Sequence, residues 1–325
     1  MGGISESERA NLALKEHSLT EIMARKNTKL PAAAIHQAGS FVLLAIKNRV
    51  GSGEFDNFLY YYLEDRPFSL IPFEQFAADF EAEFDVDIAP YLAFIKAGNQ
   101  LPEFLVSEPD YFRTRDDFGE LYVVQMKITN TGERDGLVDL TFRIPGQGGF
   151  GGGGAGMETE QHLYEVKAGM TKEVQIVFYS QPRMLTVNTL ISGNIPSTFS
   201  VFLRSAEEKT ILNPEAYERS FEYTPDRFLD GEIVVDNEDD GFSFVSVSNE
   251  SKVKKFIDSR KEPTERINYR SMNPNWSPAT WTPVAHAALY GQTVRSALLS
   301  GRGDGGSKAT WSAVMPEAGF YDLYV

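Results

Sequence analysis

Leu121-Tyr-Val-Val-Gln-Met-Lys-Ile128, closed by the turn Asn130-Thr-Gly132, is the stretch that decides the fold. It is apolar, rich in β-branched residues and of strand length. After the turn, residues 137–144 set Val138, Leu140, Phe142 and Ile144 in alternation with polar neighbours. That period of two marks a strand with one face buried. Residues 174–178 and 198–203 continue the pattern. Several short strands without intervening helices predict a β-sandwich of immunoglobulin type over 101–206. Residues 146–156 hold eight glycines between two strands. Their spacing is too irregular for a nucleotide-binding fingerprint, so a flexible hairpin loop is expected.

Upstream, the period is helical. Ser5 and Glu8 have capping-box spacing before Leu12, Leu19, Ile22 and Met23. A second helix carries Ile35, Ala38, Val42, Ala45 and Ile46 on one face and stops at Gly51. A third carries Phe55, Phe58, Leu59, Tyr62 and Leu63, and Pro67 ends it. A fourth repeats Phe73, Phe76, Phe80 and Phe84, and a fifth follows Asp87 with Ile88, Tyr91 and Ile95. Short loops join these amphipathic segments, so 1–100 reads as an antiparallel bundle or part of an α-solenoid. The aromatic stripe reads as core packing, not a cofactor pocket.

Downstream, 207–230 lacks periodicity and reads as a linker, and 231–325 is a second β-rich module. The expected class is therefore multidomain α+β: helices, then two sandwiches, the last incomplete.

With 46 acidic and 31 basic residues the net charge is -15, and no dense Lys/Arg face is present to take a polyanion, so nucleic acid is not an expected partner. Lys252, Lys254, Lys255, Arg260 and Lys261 are interrupted by Asp258. Cysteine is absent, which removes disulfides, thiol catalysis and Cys-based metal sites. No apolar run approaches 18 residues, so no membrane span is expected. The start, Met-Gly-Gly-Ile, is not a signal peptide and looks like the start of a fragment.

The chemistry-bearing residues are few. His17, His36, His162 and His286 show no zinc spacing. Asp236, Glu238, Asp239 and Asp240 cluster where a strand ends, as either a Ca²⁺-binding run or a solvated turn. Arg302-Gly-Asp304 lies in a Gly-rich turn, and Asn249 and Asn275 head glycosylation sequons. Trp276 lies in a Pro-rich loop, Asn273-Pro-Asn-Trp-Ser-Pro278, and Trp281 follows just after it; with Tyr290 they are candidates to stack on sugar rings, and core packing is the competing reading. Trp311 alternates with polar neighbours and is expected in the core.

The helical segment resembles the C-terminal helical part of M1-family zinc aminopeptidases. The resemblance lies in Ile35-His-Gln-Ala-Gly-Ser-Phe-Val-Leu-Leu-Ala-Ile-Lys-Asn-Arg-Val-Gly51, in 55–63, in Pro72-Phe-Glu-Gln-Phe-Ala-Ala-Asp-Phe-Glu81 with Asp87-Ile88, and in Leu101-Pro102. The family's His-Glu-x-x-His motif would lie before residue 1. Its transition-state Tyr aligns with His36 and the following Lys with Ala38. The resemblance thus implies zinc in a parent protein, no catalytic set here, and His36 at the substituted Tyr position. The strand segment, with 130–132 and 187–196, resembles the sandwich that follows these helices in related bacterial proteins.

The last module resembles golvesin/xanthan-lyase carbohydrate-binding-like domains. The residues are Ile233-Val-Val-Asp-Asn237, Asp240-Gly-Phe-Ser243, Trp281, Tyr290-Gly291, Trp311 and Pro316-Glu-Ala-Gly-Phe-Tyr-Asp-Leu-Tyr-Val325. That family is attached to exported bacterial enzymes, which implies an exported protein whose partners are the rest of its own polypeptide and a glycan or surface protein. The pattern stops inside a strand, so the last sandwich would lack its final strands. Lyase activity, suggested only by one host of this module, has no Tyr/His/Arg constellation to support it.

Overall fold

The computed structural model describes residues 4–25, 29–97, 100–146, 156–204, 206–211, 214–224, 233–245, 269–272, 277–278, 280–302, 306–315 and 317–323. The chain is mixed α and β and divides into two compact units, Ser5–Tyr223 and Met1–Ile4 with Thr224–Val325.

In the first unit, α1 (Glu6–Glu16) starts on the expected capping box: Ser5 Oγ accepts from Glu8 N–H at 3.1 Å and Glu8 Oε2 from Ser5 N–H at 2.7 Å. The periodicity then breaks, and Ser18 and Glu21 build a second box for α2 (Leu19–Met23). Helix α3 (Leu30–Val50) ends on Gly51, whose φ of 91° favours glycine. It is followed by α4 (Ser52–Glu64), α5 (Phe73–Phe84) and α6 (Ala89–Ala97). Asp87 Oδ1 accepts from Ala89 N–H at the start of α6.

The aromatic stripe is core. Phe80 is fully buried, and Phe58 meets Phe80 and Phe84 edge-on at 5.4 Å. Two residues assigned to buried faces stand out of them: Ile35 is 47% exposed and Leu63 is 51% exposed. Helix α3 is also longer and more apolar than the expectation allowed. By length and composition alone it qualifies as a membrane span. Ala34, Ala38, Phe41, Val42, Ala45 and Ile46 are nonetheless buried in the core it shares with α1, α4 and α5.

The strands of this unit are β1 (Phe104–Val106), β2 (Asp110–Arg115), β3 (Glu120–Asn130), β4 (Gly136–Pro145), β5 (Met157–Val166), β6 (Met170–Phe178), β7 (Met184–Asn188), β8 (Thr198–Phe202), β9 (Glu207–Glu208) and β10 (Tyr217–Glu222). One sheet runs β10-β6-β3-β2-β9, with β1 also on β3, and the other runs β5-β4-β7-β8. The two meet through alternate side chains, Val124, Met126 and Ile128 of β3 and Val174 and Ile176 of β6 against Val138, Leu140 and Phe142 of β4. The quoted stretch 121–128 is thus the middle of β3. Two parts of the segment expected as a linker join the first sheet instead: β10 pairs antiparallel with β6, and β9 parallel with β2. These ladders pair the backbone of 207–208 and 217–222, a pairing that the charged composition hid.

Helices and sheets share one seam. Leu137, Leu190 and Ile191 join the helical core. Asn11 Nδ2 donates to the Leu190 carbonyl at 2.7 Å, and Ser197 N–H donates to Glu8 Oε1 at 3.1 Å. The boundary expected near residue 100 therefore falls inside a single compact unit.

The second unit holds the ribbon β11 (Phe242–Val245) with β15 (Lys308–Trp311), and a sheet of β12 (Arg270–Ser271), β13 (Thr282–Ala285) and β14 (Ser296–Leu299). Ile4 N–H donates to the Tyr269 carbonyl at 3.0 Å. Trp311, expected in the core, is 54% exposed and meets Phe242 edge-on at 5.2 Å. Pairing of the two strands sets Trp311 directly opposite Phe242.

Candidate functional site

The turn between β3 and β4 is organised by one buried amide. Asn130 is fully buried; its Nδ2 donates to the carbonyls of Arg134 at 2.7 Å and Val166 at 3.0 Å. Its Oδ1 accepts from Gly132 N–H at 3.0 Å. A Cβ on Gly132 would lie 2.7 Å from the backbone of Leu101 and Glu103, so the turn packs against that segment at a distance only glycine permits. Glu133, Arg134 and Asp135 are held on the far side of this turn.

A cleft of about 450 Å³ opens between that turn, β5, the C-terminal end of α3 and the start of α6. This lies within the size range of small-ligand sites. Its floor is apolar: Phe41 and Leu137 are buried, and the Tyr91 ring stands edge-on to Phe41 at 6.3 Å. Its rim is charged. Arg49 Nε donates to the Tyr91 hydroxyl at 2.9 Å, and its Nη2 reaches Glu165 Oε1 at 3.0 Å and Oε2 at 2.9 Å. The Tyr91 contact and the Glu165 charge raise the Arg49 pKa further and hold it protonated. The carboxylates of Asp87, Glu133, Asp135 and Glu165 outnumber the guanidinium groups of Arg49 and Arg134 by four to two. No single sequence motif spans this cleft, because its walls come from α3, α6, the 131–135 turn and β5.

The residues singled out from sequence do not gather here. His36 is exposed on α3, away from the cleft lining. Ala38, at the position of the family's Lys, is 3% exposed and packed in the helical core. Trp276 lies outside the described residues, as do Asp304, Asn249 and Asn275. Trp281 is half-buried, with a buried indole N–H that has no acceptor among the described residues. Tyr290 is 57% exposed, and no ring contact joins it to Trp281 among the described residues.

The acidic run of the second unit is occupied by its own turn. Asp239 Oδ2 accepts from Asp236 N–H at 2.7 Å, and Asp236 Oδ1 from Asn237 N–H at 2.8 Å. Glu238 turns to the sheet, accepting from the Tyr269 hydroxyl at 3.0 Å and also from Ser296 Oγ. Burial raises the Tyr269 pKa, reinforced by the Glu238 charge. Among the described residues no group of three His, Asp or Glu converges to hold a metal ion.

One buried acid escaped the sequence reading. Asp139 of β4 is 9% exposed and accepts from Gln161 Nε2 at 3.0 Å and Thr141 Oγ1 at 3.1 Å. Burial pushes its carboxyl above the usual range, against the opposing pull of both hydrogen bonds.

No protein-family model matches the chain, and no curated protein is significantly similar to it. Among solved structures, it is similar over 32% of its length to a β-glucosidase involved in saponin metabolism from intestinal bacteria, at 15% identity and a TM-score of 0.20. It is similar over 38% of its length to β-glucosidase 3B from Thermotoga neapolitana in complex with α-D-glucose, at 18% identity and a TM-score of 0.19. The chain covers only 16% and 17% of those two proteins. Likenesses this slight fix neither its fold nor its function.

Proposed function

We propose that this chain is a non-catalytic C-terminal region of an M1-like bacterial metallopeptidase, exported or envelope-associated. In this reading the helices close one side of a peptidase cleft, and the strands of the first unit form an immunoglobulin-like sandwich behind them. The second unit is a golvesin-like module that presents the enzyme to a surface glycan or partner protein. The observation that carries the reading is an apolar face on α4 and the turn after it. Tyr60, Tyr61, Leu63, Phe68 and Leu70 are all at least half exposed. Apolar surface of this kind marks an interaction seam, here one with a catalytic lobe.

Zinc analysis and an aminopeptidase assay on this chain test the claim. We expect neither bound zinc nor turnover; zinc with turnover would refute it. An in-frame His-Glu-x-x-His upstream of Met1 in the genome would support the peptidase parent.

The burial of Ala38 favours a second reading, a binding or adhesion protein of the cell envelope on a degenerate peptidase scaffold. A lysine cannot take that place without opening the core. Absence of the upstream motif, together with binding on a glycan array, would support this reading over the first.

A further inference from the structure

We propose that the cleft between α3, α6 and the β3–β4 turn binds an organic cation, the ammonium or guanidinium group of a basic molecule. The inference does not depend on the peptidase reading. Three features of the cleft converge on it.

The floor is aromatic, with Tyr91 set edge-on against the buried ring of Phe41. An aromatic surface attracts a cation and tolerates its methylene stem. The rim is acidic and keeps open acceptors. Asp87 uses Oδ1 on Ala89 N–H and Asp135 uses Oδ1 on Ala168 N–H. Glu133 receives Gln100 on Oε2. Among the described residues no hydrogen bond reaches the second oxygen of any of the three. Of the two guanidinium groups on the rim, that of Arg49 is already paired, because Glu165 holds it and the Tyr91 hydroxyl caps its Nε, and Arg134 alone faces the remaining three carboxylates. A cation entering the cleft therefore meets unsatisfied carboxylate oxygens over an apolar base. An anion meets net negative charge.

A polyamine and a basic peptide side chain share this chemistry, and titration separates them. Chain 1–325 would be titrated with acetyl-Gly-Lys-Gly-amide, its arginine analogue, spermidine, and acetyl-Gly-Gln-Gly-amide as the neutral control. Backbone amide shifts of 87–91 and 130–137 give the readout. We expect saturable shifts with the cations, at Kd values on the order of 1 mM or tighter, weakening as salt is added. Tighter binding of the peptides identifies a side chain as the ligand, and tighter binding of spermidine a polyamine.

The triple substitution Asp87→Asn, Glu133→Gln, Asp135→Asn leaves one acceptor oxygen at each position and removes the charges. It should weaken cation binding by roughly tenfold or more. Glu133→Gln alone, at an exposed position, gives the same direction should the triple variant fold poorly. The proposal is overturned if no cation gives saturable shifts, or if the glutamine peptide binds equally well. Unchanged affinity in a folded charge-removed variant also overturns it.

Discussion

The side-chain amide of Asn11 donates to the carbonyl of Leu190 at 2.7 Å across 179 positions of sequence, and it ties helix α1 to the β7–β8 loop. Asn11 is 2% exposed and Leu190 is 6% exposed. Replacing Asn11 with Ala leaves a buried carbonyl without its main donor, since Gln37 Nε2 approaches the same oxygen only at 3.4 Å. Such a loss costs about 1–3 kcal/mol. We expect Asn11→Ala to lower the denaturation midpoint of the helical signal by far-UV circular dichroism. An unchanged midpoint would show that the seam does not contribute to holding the helices.

Asn130 has more to lose. Its amide serves the carbonyls of Arg134 and Val166 while its oxygen caps Gly132, all from a fully buried position. Asn130→Ala strands several buried groups together, so about 2–4 kcal/mol is expected. Asn130→Asp keeps the cap on Gly132 but sets a charge against two carbonyls, and should be at least as harmful. Urea denaturation of both variants measures this, and a loss below that of Asn11→Ala would contradict it.

The strands with strict alternation were legible in sequence because period two is a local property. The heart of β3, with β4, β6 and β8, lies where Leu121, Val138, Val174 and Thr198 placed it. The capping box at Ser5 was legible for the same reason. Strand β10 was not, since Tyr-Glu-Arg-Ser-Phe-Glu at 217–222 reads as polar and gains its place only by pairing with β6. The cleft was illegible altogether. Arg49 and Glu165 are 116 positions apart, and nothing in the stretch 35–51 that holds Arg49 points to Glu165. Trp311 misled because alternation reports that a strand has two unlike faces, not which element covers the apolar one.

Asp139 gives the first unit a pH signature. Its folded pKa is raised by burial, so the folded state binds this proton more tightly than the unfolded chain does. The contribution is favourable below the unfolded aspartate pKa and is lost as pH rises through the folded one. Asp139→Asn, which can still accept from Gln161, removes the penalty of the buried charge. We expect the variant to be at least as stable as the parent at pH 7, with the advantage shrinking as pH falls toward the ordinary aspartate range. Urea midpoints at several pH values test this, and a variant advantage that grows on acidification would contradict it.

The exposed face of α4 makes a prediction about solubility. Leu63 is 51% exposed, Phe68 108% and Leu70 100%, so none of them supports the core. Replacing all three with Ser should change stability by less than about 0.5 kcal/mol per site. It should also reduce concentration-dependent self-association of the isolated chain, read by light scattering. Phe80→Ala, at a fully buried position, is the contrast and should cost about 3–5 kcal/mol. Equal losses from both variants would mean that the exposed residues are not surface residues in solution.

In the second unit, Glu238 connects the turn after Val235 to the sheet. It accepts from Tyr269 beside β12 and from Ser296 of β14, which is 3% exposed. Asn237 Nδ2 reaches Glu238 Oε1 at 3.0 Å and also donates to Ser296 Oγ. Glu238→Ala would leave three donors around an empty space, and about 1–3 kcal/mol should be lost. Glu238→Gln retains an acceptor oxygen but brings an amide N–H toward hydroxyls that now donate, so it should rescue only part of the loss. The chain's three tryptophans, Trp276, Trp281 and Trp311, all belong to this unit, so their emission reports its unfolding. The same emission tests Ca²⁺ binding by the acidic run. If Glu238 acts only as a hydrogen-bond acceptor, millimolar Ca²⁺ leaves the emission midpoint of the parent where it was. A midpoint that rises with Ca²⁺ in the parent and not in Glu238→Ala would make Glu238 a cation ligand instead.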